Sequence, residues 1–70
     1  MLIDSPDRAR EWLDSWKGHS SYRWYLKYAI DGFRTNLKDY EVLGYTESAE
    51  TTREILAVLE AAAAELEDCA

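Results

Sequence analysis

Residues 20–44 read SSYRWYLKYAIDGFRTNLKDYEVLG, and this stretch decides the fold. An α-helix advances about 100° per residue. At that pitch Tyr22, Leu26, Ala29, Ile30, Phe33, Leu37 and Tyr40 gather on one face, the best core candidate in the chain. Ser20 and Ser21 can open such a helix and Gly44 can end it, so the spacing predicts a helix over residues 20–43. Gly32 is its weak point, about 1 kcal/mol worse than alanine at mid-helix, and marks where the helix would kink or break.

On the N-terminal side, Ser5-Pro6-Asp7 is a helix start. Serine caps free amides, proline suits the first helical position, and an acid favours the positive end. Ala9, Trp12, Leu13 and Trp16 recur at helical spacing, and Gly18 is a natural stop, which predicts a helix over residues 5–17. On the C-terminal side, Thr46 or Ser48 can cap a helix over residues 47–68 whose apolar face is Thr52, Ile55, Leu56, Leu59, Ala62, Ala63 and Leu66. The run Ala61–Ala64 has the highest intrinsic helix propensity. No segment alternates as a strand would. The expected fold is all-α, one small antiparallel three-helix bundle over residues 1–70.

Composition removes several functional classes. One Cys cannot build an internal disulfide framework, and one His with one Cys cannot close a structural zinc site without carboxylates. No apolar run reaches the roughly 18–20 residues of a membrane span, and no basic start leads into an apolar signal segment. A protein free of cofactors, metals and membrane contact, in a reducing cytoplasmic compartment, is expected. Catalysis has little to build on. His19 stands in a turn beside Gly18 and Ser20 with no acid adjacent to it, and sequence adjacency to serine does not make a triad. Gly18, Gly32 and Gly44 are too scattered for a phosphate loop. Cys69 is the penultimate residue and reads as an incidental thiol.

Two surfaces remain after the core is filled. Trp24 and Tyr28, four residues apart, lie well off the Tyr22–Leu26–Phe33–Leu37 face, with Val42 on the Trp24 side. Either the first helix packs there through Trp12 and Trp16, or the pair is an exposed anchor for a partner. Charge is the second surface. The net charge is −6, yet residues 1–38 hold seven basic and five acidic groups while residues 39–70 hold one and nine. Glu47, Glu50, Glu54, Glu65 and Asp68 share an arc of roughly 60° opposite the apolar face of the third helix. Arg23, Lys27, Arg34 and Lys38 form a comparable basic arc on the second.

An ordered line of carboxylates can mimic the charge of duplex DNA and occupy a basic groove. The expectation is therefore a noncatalytic acidic helical protein that binds a macromolecular partner with a basic surface, and most simply inhibits it. A nucleic-acid-processing complex is the kind of target that fits by size and charge. The partner-binding residues would be Trp24, Tyr28, Tyr45, Glu47, Glu50, Glu54, Glu65 and Asp68. Two alternatives stand beside it: a homo-oligomeric helical domain that consumes its spare aromatic residues in self-association, and direct nucleic-acid binding through the basic arc. The acidic C-terminal half opposes the latter by long-range repulsion.

Overall fold

The computed structural model describes residues 3–68, with side-chain placement described through Leu66. Cys69, and the side chain of Asp68 in the acidic arc, lie outside the described residues. Three helices follow one another: α1 (Pro6–Trp16), α2 (Tyr22–Leu43) and α3 (Thr46–Asp68). They form the expected three-helix bundle, 38 × 21 × 16 Å along its principal axes.

Local chemistry sets each boundary. Ser5 is extended and its Oγ accepts the Arg8 N–H at 3.2 Å, while Pro6 takes the first turn. α1 stops at Trp16 because Gly18, at φ +84°, turns the chain. The first amides before α2 are met inside the turn. Ser21 N–H donates to His19 Nδ1 at 3.2 Å, and Tyr22 N–H to the His19 carbonyl at 3.1 Å. Ser21 is the N-cap residue of α2 but makes no side-chain capping bond, so the histidine takes the part expected of the serines. α2 runs unbroken through Gly32. Its continuous buried stripe of Tyr22, Leu26 and Ile30 outweighs the local cost of the glycine.

Gly44 ends α2 at φ +80°, with Gly44 N–H donating to the Glu41 carbonyl and Tyr45 N–H to the Tyr40 carbonyl. The reversal takes only Gly44 and Tyr45. Thr46 is consequently the first helical residue of α3 rather than its cap, and the Tyr45 carbonyl accepts the Ala49 N–H at 2.9 Å.

The core joins Ala9 and Leu13 of α1, Tyr22, Leu26 and Ile30 of α2, and Ile55, Leu56 and Leu59 of α3. α3 is central: α2 packs along one side of it and α1 along another, while α1 and α2 barely touch. Ile3 lies near Ile55, and Lys17 lies near Glu65, so α1 runs parallel to α3 and antiparallel to α2. Thr52 is buried on the apolar face because its hydroxyl is satisfied locally, donating to the Ser48 carbonyl at 2.7 Å.

Tyr22 sits where the three helices meet. Burial holds its phenol above the ordinary tyrosine range; Lys17 opposes this, and Glu65 and Asp14 add to it. As pH climbs past about 10, the unfolded chain ionises Tyr22 before the folded one does. Unfolding then releases a proton, and stability falls through that window. A Tyr22→Phe variant should therefore lose less stability than the parent between about pH 9 and pH 11. Thermal midpoints by circular dichroism check this; equal alkaline losses in the two proteins would refute it.

Candidate functional site

The aromatic surplus of α2 stays on the surface. The buried face of α2 points at α3, and Trp24 and Tyr28 lie roughly 160–200° round from Leu26. They are 61% and 69% exposed and stack on each other, centroids 5.5 Å apart and planes 17° from parallel. α1 does not cover them, because it docks on α3. Trp16 instead reaches Tyr25 at 4.4 Å, with Trp12 behind it at 6.2 Å and His19 edge-on at 4.8 Å. Tyr25 in turn meets Trp24 edge-on at 5.0 Å. The result is a continuous aromatic ladder, Trp12–Trp16–Tyr25–Trp24–Tyr28, that climbs from the edge of the core to solvent.

The acidic arc lies elsewhere. Ile55, Leu56 and Leu59 are buried, and Glu47, Glu50, Glu54 and Glu65 are exposed on the opposite side of α3. Because α2 and α3 bury their apolar faces against each other, the arc and the Trp24–Tyr28 pair point in opposite directions. Among the described residues, the structure does not gather the expected binding residues into one footprint. Tyr45 belongs with the acids. It is exposed in the α2–α3 turn, 6.3 Å from the Tyr40 ring, and shares a shallow surface hollow with Glu47.

The ion pairs sort the charges. Arg34 reaches Glu60 at 3.2 Å, Arg53 reaches Glu41 at 3.3 Å, and Arg23 donates to the Leu66 carbonyl at 3.4 Å. Two of the four cations of the basic arc are thus turned onto α3. α1 pairs internally: Arg8 with Glu11, Arg10 with Asp7, Lys17 with Asp14. Among the described residues, Glu47, Glu50, Glu54 and Glu65 make no ion pair. They run for about 27 Å along α3 at the usual rise per residue.

α1 is half the length of its neighbours, 11 residues against 22 and 23. Below its N-terminus an open groove of about 700 Å³ remains between α2 and α3, floored by Phe33, Thr52 and Ile55 and rimmed by Asp4, Tyr40 and Glu47. Among the described residues no cluster of three or more His, Cys, Asp or Glu could hold a metal ion. Among them, too, no helix is long and apolar enough to cross a membrane.

Sequence reasoning missed Tyr25. On a helical wheel it stands 100° from Trp24, so the two read as belonging to different faces. The signal was in size: neighbouring large rings reach across such an angle at the helix surface. No family model, curated protein or solved structure matches the chain.

Proposed function

We propose that this chain is a noncatalytic docking protein that engages a macromolecular partner with a basic surface, and modulates it by occupying that surface. The observation that carries this reading is the line of carboxylates Glu47, Glu50, Glu54 and Glu65, exposed on one face of α3 and, among the described residues, without ion pairs, while Glu41 and Glu60 at the α2–α3 seam are neutralised. Cations placed nearby would fold back onto such a line. Here Arg34 and Arg53 are engaged at the α2–α3 seam instead. Tyr45 supplies an aromatic contact at one end of the line. Charge of one sign over about 27 Å steers association and selects against acidic partners. Inhibition of a nucleic-acid-processing complex is the case this chemistry suits best, since such complexes present basic grooves to phosphate.

The test is capture of partners from a lysate of the source organism by the tagged protein. The triple variant Glu47→Lys, Glu50→Lys, Glu54→Lys runs in parallel. A protein held by the parent, released by salt and absent from the triple variant is the expected result. Equal retention by both would remove α3 from the interface. Direct binding of the parent to DNA or RNA at low salt would favour the basic arc of α2 instead.

A further inference from the structure

The face of α2 turned away from α3 carries Trp24, Tyr28, Asp31, Thr35, Lys38 and Val42, all of them exposed. Their spacing alternates four and three, which is the seam of a two-stranded helical coil. Val42 is 80% exposed, more than either aromatic residue, and none of the three belongs to the core of the protomer. We propose that this stripe is a homodimer interface, in which two copies of α2 pack antiparallel about a two-fold axis beside Gly32. The proposal concerns a different face from the acidic arc and stands independently of it.

The register follows from the residues. Antiparallel pairing centred near residue 33 sets Trp24 against Val42 of the second copy, Tyr28 against Lys38, and Asp31 against Thr35. Each contact occurs twice, as two-fold symmetry requires. The outer layers are then aromatic on aliphatic. The next put an ammonium over a tyrosine ring. In the central layers the Thr35 hydroxyl already donates to the Asp31 carbonyl at 3.1 Å and needs no partner across the seam. Asp31 sits one turn from the facing Lys38, which supplies its counter-charge. On the flanks Lys27 faces Glu41 of the second copy. Parallel pairing would instead stack Lys38 on Lys38 and Asp31 on Asp31, like charges in a drying seam, which selects the antiparallel arrangement.

Three further features agree. Gly32 is exposed at mid-helix, and a Cβ there would meet nothing within 4 Å, so the protomer itself has no use for glycine at this place. Beside a two-fold axis the missing side chain lets two backbones approach closely. The acidic arcs of the two copies would point outward, away from each other, so two chains of net charge −6 can meet without opposing their most negative surfaces. Finally, Trp24, Tyr28 and Val42 expose on the order of 400 Å² between them. With Lys27, Lys38 and Glu41 the stripe approaches the roughly 800 Å² per partner of a stable complex.

Sedimentation velocity across the micromolar range, on the full chain, tests this. The parent should pass from monomer to dimer. Trp24→Glu and Val42→Glu should each weaken association by roughly thirtyfold or more, with unchanged far-ultraviolet circular dichroism because both side chains are exposed. In a Cys69→Ser background, a mixture of Tyr28→Cys and Lys38→Cys chains should form a disulfide-linked heterodimer on oxidation. Lys38→Cys alone should not link to itself, since the two copies of that position would lie about 15 Å apart along the seam. A parent that stays monomeric throughout, a dimer indifferent to both glutamate variants, or self-linkage of Lys38→Cys would each overturn the proposal.

Discussion

Leu59→Ala is expected to remove about half or more of the folding stability of this chain. Leu59 is 0% exposed at the middle of α3, in the cluster that also holds Ala9, Leu13, Leu26 and Ile30, so it serves all three helices. Truncating a buried leucine to alanine costs about 2–5 kcal/mol, more where the site cannot collapse around the gap. A chain this size holds on the order of 4–10 kcal/mol in total, and small domains sit at the low end. Urea denaturation followed by circular dichroism measures the effect. At the usual slope of about 1 kcal/mol per molar urea, the midpoint should fall by roughly 2 M or more. Leu43→Ala, at an exposed leucine of α2, should shift it by less than about 0.5 M. A small shift for Leu59→Ala would mean that α1 and α2 close over the gap.

Trp16→Ala should act differently, by releasing α1 while leaving the α2–α3 pair standing. Trp16 is half-buried and ties the C-terminal end of α1 to Tyr25 at 4.4 Å. Losing a half-buried indole costs about 2 kcal/mol, below the figure for a fully buried ring. α1 has 11 residues, and helices shorter than about 12–15 are marginal by themselves in water. Detached from its anchor, α1 has Ala9 and Leu13 to hold it on α3 and little intrinsic helicity to fall back on. Limited proteolysis should then cut between residues 6 and 17 well before the rest of the chain. Uniform cutting along all three helices would show that α1 and the hairpin unfold as one unit.

The helices and the core were legible because the apolar spacing on α2 and α3 is regular. Tyr22, Leu26 and Ile30 are buried as the wheel places them, and so are Ile55, Leu56 and Leu59. Gly18 and Gly44 end their helices in the left-handed conformation that glycine suits. The docking of α1 was not legible. Periodicity says which face of a helix is apolar but not which neighbour receives it: Leu13 goes to α3 beside Val58 and Ala62, and Trp16 meets Tyr25 of α2 rather than Trp24 or Tyr28. The separation of the acidic arc from Trp24 and Tyr28 was hidden for a related reason. Each wheel is drawn in its own frame, and only the packing of α2 on α3 fixes the angle between the two frames. Which acids are neutralised was equally out of reach. Glu60 and Glu41 look no different from Glu54 in sequence, and only their position at the α2–α3 seam brings Arg34 and Arg53 to them.

The reversal at Gly44 and Tyr45 bears on time as well as on shape. Joining α2 and α3 by two residues lets the larger helix–helix interface close without first shutting a long loop. Its contacts are made between parts of the chain that meet early in any collapse, and folds of that kind are the rapid ones, completing in microseconds to milliseconds. α1 packs on α3, which lies beyond the whole of α2 in the chain, so its contacts close a much longer loop than those of the hairpin. Folding should therefore be quick and ordered from the C-terminal end, with α1 the last helix to settle and the first to leave.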